Sequence, residues 1–436
     1  MKFDLLYLWF LGNPKDPRHV GVLRLVEAGK GVSLQYGIDW LRNGFALSED
    51  LPLVDMEHRP RGRLAAGAAV AAGAVDDARP DRWGERVIQY IDRPKRLSLM
   101  EYLYFAGDDR FGALGVSTST TEYLPRQGGP LPRLEQAQEL SDVVAKVAAA
   151  EPISDVERRV LTAGGSLGGA KPKALIEIGS EQWVVKFFNG EPVDSPLVEH
   201  ATMTLASRAG IRVAETQVLP LLGQNAVAVR RFDRAGEQRI HSLSAATALR
   251  AAAPAGQEPE MGYPALALLL RRAGVAEGNA NAQDAAELFR RMVFNILVDN
   301  TDDHEKNHSI LVVSPWSNGR FRLAPAYDVL PSNSGQGFQE FICGDMGRDS
   351  TLENAMSRCQ SFGLTPPQAA AHVDQVIRVV DTWREHFASC GVTPGDIAQL
   401  AERIDGEELL RQRRTFTPAN YPAAPARRPR RGPFGR

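Results

Sequence analysis

Cysteine is scarce in this chain of 436 residues. Only Cys343, Cys359 and Cys390 occur, an odd number with no two at metal-ligand spacing. That argues against a disulfide framework and against a zinc site, and it fits a reducing, cytoplasmic setting. Long hydrophobic runs are missing as well. No stretch of eighteen apolar residues occurs, so no membrane span is expected. The opening "MKFDLLYLWFLGN" is apolar but short and is broken by Asp4, with no small-residue cleavage site after it. It reads as a first strand rather than a signal peptide. An excess of one charge is also absent: 51 basic against 53 acidic residues leave a net −2. A general nucleic-acid binder usually carries a basic surplus. What is present is a globular composition, 43% hydrophobic and 24% charged, in a chain long enough for two or three cores.

Residues 1–125 mix short β-like runs with turns. "HVGVLRLVEAGKGVSLQYG" (19–37) reads as two strands joined by a glycine-containing loop, and "FAGDDRFGALGVS" (105–117) as a turn followed by a small-residue strand. The Ala- and Gly-rich 64–75 segment has no clear assignment, and "LPRQGGPLPRL" (124–134) reads as a linker. Residues 135–235 form a second unit, a β-rich lobe with one helix beside its strands. Its parts are a helical stretch at 134–151, a Gly-rich loop, strands around 173–179 and 182–188, the helix at 196–211, and two further strands. Residues 236–416 turn mostly helical. The stretch 284–300 repeats apolar residues at 288, 289, 292, 293, 296 and 297, one buried stripe, and 369–391 reads as another helix. The tail 417–436, rich in Pro, Ala, Gly and Arg, cannot bury a core and is expected to be disordered.

The candidate chemistry begins with "GGSLGG" (164–169), whose glycines let backbone amides turn toward a phosphate. It is not a Walker loop: Ala170 stands where that motif has Lys, and the segment leads into a strand. Lys186 is a single charge inside the apolar strand "WVVKFF". It reads either as an edge residue facing water or as a phosphate-holding lysine, and the latter needs a carboxylate partner on the neighbouring helix. Glu199 stands in that helix. The densest polar stretch is "LVDNTDDHEKNHSILVV" (297–313), set between an apolar helix and a β-branched run. In it, Asp302 and Asn307 reproduce the D-x-x-x-x-N spacing of a kinase catalytic loop, where the Asp accepts a hydroxyl proton and the Asn holds magnesium. Asp328, after the strand "FRLAP", supplies a second metal-binding acid. Each element alone is weak. Together, in kinase order, they point to phosphoryl transfer.

With those residues in view, the chain resembles the HipA family of serine/threonine kinase toxins. "SLGGAKPKALI" is similar to that family's phosphate loop, "VVKFF" to its strand-lysine motif, and "VEHATMTLASRAGI" to its Asn-Glu helix. "VRRFDR" resembles its interlobe segment, "NTDDHEKNHSIL" and "PAYDVL" its catalytic and metal motifs, and "PDRWGERV" and "GDDRFGALGVS" parts of its N-terminal region. The resemblance runs from about residue 15 to 410. It implies an α+β, two-lobed, protein-kinase-like fold, with a β-rich N-terminal region and a mostly helical C-terminal lobe.

It also implies roles. Asp302 would be the catalytic base, Asn307 and Asp328 would bind Mg2+, and Lys186 would hold the α/β phosphates of ATP, steadied by Glu199. Backbone amides from Leu167 through Gly168 and Gly169 to Ala170 would cover those phosphates. Ser166 matches the autophosphorylated serine whose modification ejects the loop. Phe232 would flank the adenine, His304 would support the catalytic loop and Lys306 would touch phosphate. Arg230 departs from the family, which often has Glu there. The implied partners are a HipB-like helix-turn-helix antitoxin, operator DNA only through that antitoxin, and a protein substrate, an aminoacyl-tRNA synthetase being the best-known class. No membrane is implied. Two alternatives stay open: a kinase-like enzyme acting on a small molecule, and a catalytically silent co-repressor.

Overall fold

The structure is a computed structural model and describes residues 2–61, 69–126, 128–164 and 171–423. The N-terminal region is built on a twisted sheet. Strands β1 (Leu5–Phe10), β2 (Arg18–Val26), β3 (Gly31–Tyr36), β4 (Glu57–His58), β5 (Val70–Ala71) and β6 (Leu114–Ser117) take the order β4-β3-β2-β1-β6, with β5 parallel beside β3. Alternation places Leu6, Leu8, Leu23, Val32 and Leu34 in the core. The expected β2–β3 hairpin forms, and its turn puts Glu27, Ala28 and Gly29 at positive φ. Helices α1 (Ile38–Asn43), α2 (Arg82–Ile91) and α3 (Leu99–Phe105) complete the region.

The next elements are α4 (Ala137–Ala148), α5 (Asp155–Gly164), β7 (Lys173–Ile178), β8 (Glu181–Phe187), α6 (Ser195–Arg208), β9 (Thr216–Leu221) and β10 (Gln224–Arg230). The strands form an antiparallel sheet in the order β7-β8-β10-β9. One face buries Ala174, Ile176, Val185 and Ala228 against Leu140, Val143 and Val147 of α4, Leu161 of α5, and Trp83, Val87 and Ile91 of α2. The opposite face carries Val227 and Val229 into the core shared with α6. Beside the expected helical stretch at 134–151 and the helix at 196–211 the lobe has a third helix, α5, and it borrows α2 from the preceding region. Helix α5 was hidden because its sequence, DVERRVLTAG, runs straight into the glycines of the loop.

The rest of the chain is helical around a small sheet. After the hairpin β11 (Arg234–Ala235) and β12 (Gln238–Arg239), strand β13 (Ser242–Ser244) pairs with β14 (Ser309–Val312), which pairs with β15 (Phe321–Leu323). Helices α7 (Ala245–Ala252), α8 (Tyr263–Ala273) and α9 (Ala280–Leu297) precede β14. Helices α10 (Leu352–Ser357), α11 (Pro366–Val380), α12 (Trp383–Ser389), α13 (Pro394–Ile404) and α14 (Glu407–Thr415) follow β15. The apolar stripe of α9 is buried in full, Leu288, Phe289, Met292, Val293, Ile296 and Leu297 alike. The single helix expected over 369–391 is broken after Val380: the Thr382 amide and hydroxyl both donate to Val379 O. Buried Arg413 fixes the break by bonding Asp381 at 2.9 Å and Asp405 at 2.6 Å. Of the expected disordered tail, residues 417–423 are described and ordered. A 3-10 turn spans Pro418–Asn420, and Tyr421 stacks on Phe416. Residues 424–436 and residues 64–68 of the unassigned 64–75 segment lie outside the described residues; the rest of that segment holds β5 and the start of a 3-10 turn at Gly73–Ala78.

Candidate active site

The sheet face that carries Val227 also carries two lysines. Antiparallel pairing sets Lys173 of β7 directly opposite Lys186 of β8. Like charges this close disfavour each other, so the site must supply acid. It does so at Lys186, whose Nζ lies 2.6 Å from Glu199 Oε1 on α6 and 2.5 Å from Asp328 Oδ1. The edge-strand alternative for Lys186 is therefore set aside. Burial would lower its ammonium, but Asp328 and then Glu199 outweigh burial and raise it. Asp328 is driven well below the usual carboxylate range: burial opposes this, and Lys186 and Lys173 overcome it. For Glu199 burial wins and pushes the carboxyl up.

Asp328 sits at φ +59, a backbone conformation that non-glycine residues seldom adopt. Asp299 and Asn333 share it, at φ +58 and +53. Such residues cluster where surrounding bonds over-determine the chain. Here Ser332 supplies those bonds. Its amide and hydroxyl donate to Asp299 O at 2.9 and 2.7 Å, and its hydroxyl accepts from the Thr301 amide at 3.0 Å.

The polar stretch is indeed the connection between α9 and β14. Asp302 is exposed in it; partial burial raises its carboxyl, His304 opposes the rise and Asp328 adds to it. Asn307 is buried, and its Nδ2 donates to Asp302 O at 3.4 Å. No hydrogen bond among the described residues uses the Asn307 amide oxygen. His304 accepts from the Lys306 amide at 3.2 Å, so it braces the loop from within. Lys306 Nζ reaches Asp81 Oδ1, the N-cap of α2, at 2.8 Å. Under the loop runs a buried network: His308 Nε2 and Asp303 Oδ2 are 2.7 Å apart, Tyr263 donates to Asp303, and Asn295 donates to Tyr263 at 3.1 Å.

The two lobes meet at "RRFDR". Asp233 is fully buried and holds Arg231 and Arg234, each at 2.7 Å, and accepts from the Gly112 amide at 2.7 Å. Burial would raise its carboxyl, yet the two arginines lower it to about 2. Phe232 is half-buried between Phe111 and Tyr327, with ring centroids 5.5 and 5.3 Å away. Arg230 points outward and pairs with Glu181 and, at 3.3 Å, with Glu215.

The structure therefore brings Lys186, Glu199 and Asp328 into contact, with Asp302 and Asn307 on the adjoining loop. Lys306 is tied to Asp81, and Ser166, Leu167, Gly168, Gly169 and Ala170 lie outside the described residues. Three features escaped sequence reasoning. Lys173 is buried, and its ammonium has no ion pair or hydrogen bond among the described residues. Its place in "KPKAL", two residues past Lys171, was the available signal. Tyr327 donates to Lys306 O at 2.7 Å and so braces the α9–β14 loop from the Asp328 segment. Asp81 stands 225 residues from its partner, and no local pattern announces such a pairing.

An antiparallel sheet carrying a lysine, a helix supplying its glutamate and a helical lobe supplying Asp302, Asn307 and Asp328 define a two-lobed, kinase-like protein. A sequence model of the HipA-like C-terminal domain matches residues 165–383, half of the chain. The chain belongs to the HipA-like family. Over 94% of its length it superposes on HipA of Shewanella oneidensis MR-1, solved as a toxin–antitoxin complex with HipB and operator DNA. The TM-score is 0.64 at 18% identity, and 97% of that chain is covered, a likeness of fold. Two curated relatives from Sinorhizobium fredii are similar in part. "Putative kinase Y4dM" is 31% identical over 162 residues, 34% of this chain and 37% of the relative. "Putative kinase Y4mE" is 29% identical over 152 residues, 30% and 31% of the two chains. The chain thus matches about a third of the length of each of these relatives. Among the described residues no helix is long and apolar enough to cross a membrane.

Proposed function

We propose that the chain is an ATP- and Mg2+-dependent serine/threonine protein kinase, the toxin of a toxin–antitoxin pair in the cytoplasm. The observation that carries this reading is the bridge from Lys186 to both Glu199 and Asp328 beside the Asp302–Asn307 loop. A lysine held between a helix glutamate and a metal-binding aspartate is the part of a kinase that grips phosphates. The donor set fits magnesium: Asp328 offers a partly exposed carboxylate, and Asn307 an amide oxygen that no hydrogen bond among the described residues uses. No cluster of three or more His, Cys, Asp or Glu able to hold a metal occurs among the described residues. Magnesium needs none, since it binds through one or two protein oxygens, substrate phosphates and water. When bound, it would neutralise the charge that develops on the phosphates.

The remaining work falls to this chain's own side chains. Lys186, held by Glu199, binds the α/β phosphates, and by the resemblance the backbone amides of Leu167 to Ala170 would cover them. Phe232 lies against the adenine. Asp302 accepts the proton as the acceptor serine or threonine oxygen bonds the γ-phosphorus and the β–γ bridging oxygen leaves with the bonding pair. Lys306 would reach phosphate only by leaving Asp81. His304 holds the loop in shape. Transfer to Ser166 would put nearly two negative charges where ATP phosphates belong and shut the site. The fold shared with a HipA solved beside HipB and operator DNA supports a helix-turn-helix antitoxin as partner, with DNA reached through it. For the protein substrate, the resemblance points to aminoacyl-tRNA synthetases.

The test is incubation of wild type and Asp302→Ala with ATP and magnesium, followed by intact mass and phosphosite mapping. One phosphate on Ser166 in wild type alone is the expected result. Neither phosphate nor ATP binding in wild type would overturn the reading and favour a co-repressor.

A further inference from the structure

A second, partly buried cluster of charge lies away from the phosphate-gripping residues. Arg212, in the turn that leaves α6, reaches Asp284 at 2.7 Å and Glu287 at 2.6 Å, both on α9. Arg322 of β15 donates to both oxygens of Asp284 at 2.7 and 2.9 Å. Asp284 also accepts from the Leu323 amide at 2.9 Å. Arg291, one helical turn past Glu287, ion-pairs with it and donates to Ala324 O at 2.7 Å and to Arg212 O at 3.4 Å. Asp284, Glu287 and Arg291 are all buried.

The backbone stitches the same segments together. The Ala326 amide donates to Arg212 O at 2.7 Å, and the Ala214 amide to Ala326 O at 2.8 Å. Asp328 follows two residues later. Every group that the network grips lies in one of two segments: the exit of the helix that carries Glu199, or the approach to Asp328. The helix that holds both carboxylates runs on into the Asp302 loop.

Three buried charges with two partly exposed arginines over them are a poor means to stability alone, since well-packed apolar residues of similar volume often stabilise as much or more. What guanidinium forks contribute is direction, because they bind carboxylates in two parallel bonds. We propose that Arg212, Asp284, Glu287, Arg291 and Arg322 form a positioning network. It fixes Asp328 relative to Lys186 and Glu199, so that the constellation is permanent rather than switched by movement of α6. The catalytic half of this statement rests on the kinase reading above; the mechanical half does not. Regulation of the site would then act on some element other than α6.

The experiment uses the full chain and two variants. Arg322→Gln removes a partly exposed fork, and Arg212→Lys keeps the charge but loses the fork. Thermal melts within a few degrees of wild type establish that both fold. Amide hydrogen exchange then reads positioning without reference to activity: faster exchange confined to 212–214 and 324–330 is expected in both. Autophosphorylation is titrated with magnesium, and half-saturation should rise by about tenfold or more, as losses in outer-shell support typically do. ATP binding without magnesium should hardly change. Unaltered exchange at 324–330 would overturn the network's role whatever the activity. Unaltered magnesium half-saturation in an active protein would overturn its catalytic part and leave the kinase reading standing. If wild type transfers no phosphate at any magnesium concentration, the kinase reading and the catalytic part both fall, and exchange decides the rest.

Discussion

The two charge clusters use similar ingredients and end in opposite states. Around Asp284 every charge is answered: its carboxylate takes two arginines and an amide, and Glu287 takes two more guanidinium contacts. In the cleft, Lys186 is doubly paired, but Asp328 remains about one-third exposed and Lys173 has no acid in contact among the described residues. The first is a saturated joint that holds backbone in place. The second keeps an ammonium at Lys173 with no acid in contact among the described residues and open acceptors on Asp328, which would suit a polyanionic substrate and its cation. Saturation, rather than burial, separates a joint from a binding site.

Lys186→Met attacks the open cluster at its centre. It leaves Glu199 and Asp328 facing each other, and phosphoryl transfer should fall by about 10²–10³-fold, as it does when one preorganised charge-stabilising donor is lost. Steady-state rates with saturating ATP would show it. Next in size is a paired comparison by chemical denaturation. Asp284→Asn weakens every contact of a buried carboxylate, but Arg212 keeps Glu287 and both arginines reach water, so the loss should be about 2–3 kcal/mol. Asp328→Asn leaves Lys186 with Glu199 and should cost no more than about 2 kcal/mol, while abolishing transfer. Equal stability losses would break the distinction between joint and site.

A third prediction concerns pH. His241 is buried, donates from Nε2 to Leu47 O at 2.8 Å, and is lowered by burial to about 4. Its neutral form is the folded one, so as pH falls below about 6.5 the unfolded chain takes up the proton first. Stability should decline from about pH 6.5 to pH 4, by up to about 3 kcal/mol, and the slope should then end. His241→Gln should flatten that part of the denaturation profile. The smallest effect is expected at Arg230, whose ion pairs with Glu181 and Glu215 are exposed. Arg230→Ala should change stability by less than about 1 kcal/mol and leave ATP binding intact. A large loss of ATP binding would make this departure from the family's usual Glu a working contact.

Much of this was legible along the chain, and the exceptions share a cause. Alternation in "WVVKFF" marked a strand with one misplaced charge, and periodicity marked the buried stripe of α9. The order of the loop, Lys186, Glu199, Asp302, Asn307 and Asp328 carried the fold class. What could not be read were contacts between distant segments. Asp284, Glu287 and Arg291 look like the wet side of an amphipathic helix, yet β15 and the turn after α6 cover them. Trp83, Val87 and Ile91 gave α2 an apolar face without saying which sheet it meets. The break after Val380 depends on Arg413, which arrives from α14, 32 residues beyond Asp381.

The knot of Arg231, Asp233 and Arg234 has a consequence for inheritance. Its arginines are spoken for by Asp233 and by the carbonyls of Asp109, Arg110 and Gly112. Altering Asp233 strands two guanidinium groups in a dry place, and altering either arginine leaves Asp233 with the other but strips backbone carbonyls of their donors. In a library of variants they should behave as a single locus: singles depleted, and pairwise epistasis strongest between Asp233 and either arginine.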